Sequence, residues 1–216
     1  MIISTETGLT MLATCAVFLA FTLRNGAAEP VKQALAILQN GSTSERRQAA
    51  ETLAQIGDQQ AVEPLARALR DPDALVRETA EQALWLIWHR SGNADIDTLL
   101  QEGIVAMQRG TLDRAVEIFS EVIRRDPDFA EGYNKRATTY YMLQEYEKSI
   151  ADCDKTLEIN PVHFGALSGA GLCYLGLRNL RQALAYFERA VVVNPNMPQI
   201  RQYIEDIKKY LRDQTL

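Results

Sequence analysis

Two histidines and three cysteines are the side chains among the 216 residues whose chemistry could by itself nominate a metal site or a nucleophile. His89 and His163 stand in different parts of the chain, and Cys15, Cys153 and Cys173 form no Cys-x-x-Cys pair. Structural zinc and a disulfide framework are therefore excluded as organising principles. There is no glycine-rich phosphate loop, no His-Glu-x-x-His and no Gly-x-Ser-x-Gly. The 28 Asp and Glu residues are interleaved with 23 Lys and Arg, the pattern of solvated helix faces rather than of an acid–base pair. No catalytic residue, cofactor site or metal ligand is assigned, and the chain is expected not to be an enzyme. His89 and His163 are expected at surface or capping positions, and Cys153 and Cys173 as buried, reduced packing residues.

Charge narrows the partners. The net charge is −5, residues 29–92 carry seven basic and nine acidic groups, and residues 93–216 carry fifteen and eighteen. Neither half offers the basic footprint of a nucleic-acid binder. Function must then lie in shape, and shape depends on how the helices are arranged.

Residues 29–92 repeat with a shift of 31, which aligns Val31 with Val62, Leu38 with Leu69, Arg46 with Arg77 and Leu53 with Leu84. Apolar residues recur at helical spacing through Ala50 and Leu53, through Val62, Leu65 and Leu69, and through Val76, Ala80, Leu84 and Ile87. Asp73 is placed to cap the last of these helices, after the break at Asp71-Pro72. Trp85 and Trp88 are read as a core seam against the helices that follow. The wording RQAAETLAQIGDQQAVEPLARALRDPDALVRETAEQAL resembles the short HEAT-like repeat of bacterial scaffolds and phycobilin lyases.

From residue 96 the period becomes 34. A bulky column runs Leu99, Tyr133, Leu167, a small one Gly103, Ala137, Gly171, and an aromatic one Phe119, Cys153, Phe187, while Pro127, Pro161 and Pro195 close each unit. Thirty-four residues accommodate two helices of about fourteen with short turns. Small residues let paired helices approach, and proline ends each unit by removing an amide donor. These columns resemble the tetratricopeptide repeat (TPR), with units at 96–129, 130–163 and 164–197 and a capping helix at 198–212. The domain expectation is thus 29–92 for the HEAT-like array and 95–212 for the TPR domain. The fold expected is all-α, an α-solenoid. The stretches FAEGYNKRATTYY and NPVHFGALSGAG are similar to a group of exported bacterial TPR proteins of unknown activity.

The first 28 residues stand apart. Leu9 to Leu23 is an uncharged run of fifteen, the length of a signal-peptide core rather than of a full membrane span. Arg24 follows the run and no Lys or Arg precedes it, which departs from a good export signal. The expectation is a periplasmic or exported protein that starts near Glu29, with tethering to the inner membrane by residues 9–23 as the alternative. Cys15 precedes most of the apolar run, so it is not read as a lipidation site.

In a TPR stack the first helix of each unit lines a concave groove. Mapped by the period, the resemblance places Leu100, Ile104, Met107, Asn134, Lys135, Thr138, Tyr141, Met142, Leu172 and Leu175 there. Relatives that grip a carboxylate do so with basic and Asn-rich columns, of which this chain has only Asn134 and Lys135. An apolar groove suits an extended apolar peptide or a partner helix. The function expected is a non-enzymatic protein–protein interaction scaffold. A self-associating component whose groove is filled by a second copy is the alternative; a groove filled by the chain's own N-terminal helices is a further reading of the same surface. A lyase-like enzyme is the remote one. Arg136 and Asp152 are expected to pair inside the middle unit.

Overall fold

The computed structural model describes residues 29–214; the run Leu9–Leu23, Cys15 and the expectations attached to them lie outside the described residues. The architecture is an all-α solenoid, with no strand among the described residues. Residues 29–40 form α1, followed by α2 (Thr43–Ile56), a 3-10 turn (Gln59–Ala61), α3 (Val62–Ala68) and α4 (Ala74–Trp88). Three hairpins come next: α5 (Ala94–Gln108) with α6 (Leu112–Arg125), α7 (Ala130–Met142) with α8 (Tyr146–Ile159), and α9 (Phe164–Gly176) with α10 (Leu180–Val193). α11 (Pro198–Asp213) closes the array against α10.

Local chemistry sets the helix ends. Ser42 and Glu45 make a reciprocal capping box before α2, and the Asp73 carboxylate accepts from the amides of Leu75 and Val76 at the start of α4. After α5, α7 and α9 the chain turns through left-handed backbone at Gly110 (φ 76°), Gln144 (φ 61°) and Arg178 (φ 57°). These positions are 34 residues apart, so the period includes a backbone conformation. Glycine meets it freely in the first unit only.

Packing inside the hairpins explains the small column. A Cβ on Gly103 would stand 2.8 and 2.9 Å from Cδ1 and Cζ of the buried Phe119 ring. One on Gly171 would stand 2.5 Å from two atoms of Phe187. In the middle unit the ring is replaced by Cys153, and there the small position can carry Ala137. Each pair is matched to the other's volume. α11 buries Ile200, Ile204 and Ile207 against the last hairpin, with the Tyr203 ring stacked on Phe187 at 5.5 Å.

The two arrays are joined by side chains. Trp88, Trp85, Leu69 and Leu84 share one apolar cluster with Phe164, Val162, Val193 and Met197. Arg77 Nε donates to Asn196 Oδ1 at 3.0 Å, and Asn196 Nδ2 donates to the Leu69 carbonyl at 2.9 Å. α4 is thereby seated on the N-terminal ends of α7 and α9.

Candidate functional site

α5, α7 and α9 lie side by side and line the inner face, while α6, α8 and α10 back them. α4 divides this face into a closed polar end and an open apolar slot.

The closed end is built around Glu131, which is 1% exposed. Its Oε2 accepts from His163 Nε2 at 3.1 Å and from Asn134 Nδ2 at 3.1 Å. Its Oε1 faces the Lys135 ammonium at 3.0 Å and His89 Nε2 at 3.5 Å. Because His163 Nδ1 accepts from the Ala166 amide, its ring proton sits on Nε2 and points at the carboxylate. Burial alone would raise the Glu131 pKa. The His163 hydrogen bond and the charge of Lys135, with the His163 and His89 rings beside it, outweigh that and hold it at about 2, so the group is a carboxylate. The walls are aromatic: Trp88 stacks on His163 with centroids 4.1 Å apart, Trp85 meets His163 and Phe164 edge-on, and Lys135 Nζ lies 5.9 Å from the Trp85 ring centre. Gly165 is required here, since a Cβ would come 2.6 Å from Trp85 Cη2.

The open slot lies one to two turns further along α7 and α9. Its volume is about 280 Å³, and Asn134, Ala137, Thr138, Tyr141, Ser149, Cys153, Gly165, Ser168, Gly169 and Leu172 line it. Gly169 keeps it open, with Cys153 Sγ as the floor 3.5 Å from where a Cβ would be. Ser149 donates to the Ala137 carbonyl at 2.8 Å and accepts from the Cys173 thiol at 3.1 Å, so the polar atoms of the floor are satisfied. Cys153 and Cys173 are free and buried, and desolvation pushes both thiols up, leaving them unreactive at neutral pH.

The ten residues placed on the groove by periodicity therefore have different fates. Thr138, Tyr141 and Met142 are exposed, and Leu172, which lines the slot, is half-buried, as are Ile104, Met107 and Leu175 against the hairpin cores. Leu100 is 2% exposed, taken into the core of the α5–α6 hairpin, where a partner cannot reach it. Asn134 and Lys135 are held by Glu131. His163 caps α9 and is fully buried rather than at the surface. Its part in the polar end was missed in the sequence, although Glu131, Asn134 and Lys135 at i, i+3 and i+4 mark one helical face. Arg136, outside the groove, is bidentate on Asp152 at 2.7 and 2.8 Å and donates to Ser120 Oγ at 3.0 Å. Among the described residues no group of His, Cys, Asp and Glu could hold a metal ion, and no helix is long and apolar enough to cross a membrane.

Comparison with known proteins agrees with this geometry. A HEAT-repeat family model matches residues 31–129, and tetratricopeptide-repeat models match residues 130–163 and 165–197. The HEAT match thus runs through α5 and α6, whose Gly103–Phe119 contact has the same form as Gly171–Phe187 in α9 and α10. A TPR repeat-containing protein of Rhizobium etli is 34% identical over 126 residues, which is 58% of this chain and 61% of that protein. The matched stretch thus falls short of two thirds of that relative's length. In fold, the chain is similar to the first TPR of Spaghetti (RPAP3) bound to an HSP90 peptide, at 22% identity and a TM-score of 0.53 over 54% of this chain and 93% of that one. The Sgt2 TPR domain of Aspergillus fumigatus gives 20% and 0.54 over 57% and 83%.

Proposed function

We propose that this chain, built of HEAT-like and tetratricopeptide repeats, is a non-enzymatic adaptor that holds an apolar segment of a partner protein in the slot between α7 and α9. The slot itself supports this reading. It is open, the exposed Tyr141 lines it, and no Lys, Arg or His lines it. At about 280 Å³ it is smaller than the roughly 300–1,000 Å³ of small-molecule sites. It suits one or two side chains of an extended peptide, with Thr138 and Ser168 available to its backbone. Structural neighbours of the same fold have partners bound: the Spaghetti (RPAP3) TPR an HSP90 peptide, and the TPR2B domain of yeast Sti1 pHsp70. Among the described residues no nucleophile is paired with a base around the slot, which supports a binding rather than a catalytic role. We place the adaptor in the cell envelope on the strength of the run Leu9–Leu23.

The test is a panel of uncharged, apolar-rich peptides titrated by fluorescence anisotropy against the wild type and Leu172→Asp. A carboxylate at the slot wall should weaken every binder at least tenfold while leaving helicity intact. Binding that ignores Leu172→Asp would refute the assignment. Light scattering against concentration covers the second-copy alternative: a mass that doubles in the wild type and not in Leu172→Asp gives the slot to self-association. Residues 1–40 fused to alkaline phosphatase test the location, since the reporter is active only after export.

A further inference from the structure

The closed end of the groove contains more donors than a structural ion pair needs. Lys135, His163 and Asn134 turn donors on one carboxylate at 3.0, 3.1 and 3.1 Å, and His89 lies 3.5 Å from it, so three helix segments separated in sequence meet there. A set of this kind would bind a carboxylate from elsewhere if the protein did not supply its own. We propose that Glu131 is a built-in carboxylate ligand that pre-empts this donor set, so that the segment held in the neighbouring slot is an internal, uncharged stretch of the partner and not an acidic or carboxy-terminal one.

Three observations support the proposal. Glu131 is 1% exposed and α4 covers it with Trp85 and Trp88, so a second carboxylate has no room there. Lys135, next to the slot-lining Asn134 on α7, keeps only 16% of its side chain exposed and is spent on Glu131. An acidic peptide in the slot would meet no cation among the lining residues and would lie beside a buried negative charge. The inference extends the peptide-binding reading of the slot, but its donor set can be tested without any peptide.

Trp85 and Trp88 are the two tryptophans of the sequence, and both border the Glu131 site, so intrinsic emission reports on it. Sodium formate and sodium acetate would be titrated into Glu131→Ala, with sodium chloride at equal ionic strength as control. The expected result is a saturable change in emission with the carboxylates, absent with chloride, absent in the wild type, and absent in Glu131→Gln, whose side chain still fills the site. At a carboxylate concentration about ten times its Kd, the folding equilibrium of Glu131→Ala should gain about tenfold. A folded Glu131→Ala without a carboxylate-specific response, or a wild type that responds equally, overturns the proposal. If Glu131→Ala does not fold, acetate and not chloride should restore its helical circular dichroism, and failure to do so is equally fatal. Partner selection is read separately. Wild type should prefer an uncharged apolar peptide at least tenfold over the same peptide carrying two Asp, and equal affinity refutes the selectivity. A normal formate response with no peptide binding at all would refute the slot assignment and leave the donor set standing.

Discussion

Replacing Gly103 by Ala tests whether the small column is dictated by volume. The new Cβ would stand 2.8 and 2.9 Å from two atoms of the Phe119 ring and closer still to Cε1. Phe119 is 0% exposed and packed among Ala115, Val122 and Ile96, so the ring cannot swing into solvent. Overpacking of this kind costs about 1–3 kcal/mol. Against it, alanine is the better helix former by roughly 0.5–1 kcal/mol, and α5 gains that amount. The net expectation is a loss of about 1–2 kcal/mol, or about 2–8 °C in thermal midpoint for a protein of this size. The same substitution at Gly169 should have the opposite sign. There the Cβ would meet only Cys153 Sγ at 3.5 Å, an ordinary contact, so the helix propensity gain of about 0.5–1 kcal/mol stands alone. Thermal and urea unfolding followed by circular dichroism at 222 nm would measure both. Trimming the ring with Phe119→Leu should cost less in the Gly103→Ala background than alone. A Gly103→Ala protein as stable as the wild type, or two Gly→Ala effects of one sign, would refute the volume argument.

Arg136→Ala should destabilise by about 1–3 kcal/mol, because Asp152 is 7% exposed and would lose both guanidinium bonds; urea unfolding checks this. Glu131 has a folded pKa depressed from 4.5 to about 2, so its contribution is fully present above pH 4.5 and is lost as the pH falls through about 2. The stability difference between wild type and Glu131→Gln should therefore shrink steadily from pH 4.5 to pH 2, as thermal midpoints across that window would show. Gln144→Gly and Arg178→Gly should each stabilise by up to about 1 kcal/mol, since both residues sit at positive φ with no glycine to relieve it; a loss in either would argue against the left-handed turn.

Much of this fold is legible in the chain because it is local. The 34-residue columns state which face of each helix is apolar, and Asp73, Ser42 and the recurring prolines mark where helices begin and end within a few residues of sequence. The pairing of Arg136 with Asp152 spans one hairpin of the kind the resemblance to TPR units implies, and the structure has it. The alternation of Gly103 and Gly171 with Ala137 could be read as a small column, but its reason is the partner ring, present in Phe119 and Phe187 and absent at Cys153. The left-handed turns at Gln144 and Arg178 carry no compositional sign, since only the first of the three positions is glycine.

The repeat columns, through their resemblance to TPR units, implied an inner face and placed Tyr141 and Leu172 on it. Tertiary structure decided what that face is. Packing of α4 against α7 and α9 brings His89, Glu131, Lys135 and His163 together from positions up to 74 residues apart, closes one end of the groove and commits Lys135 to Glu131. A repeat pattern specifies how each unit stacks on the next. It carries no information about how one array docks on another, because that contact combines column residues such as Leu69, Arg77 and Leu84 with Trp85, Trp88 and Asn196, and depends on where the whole solenoid carries them.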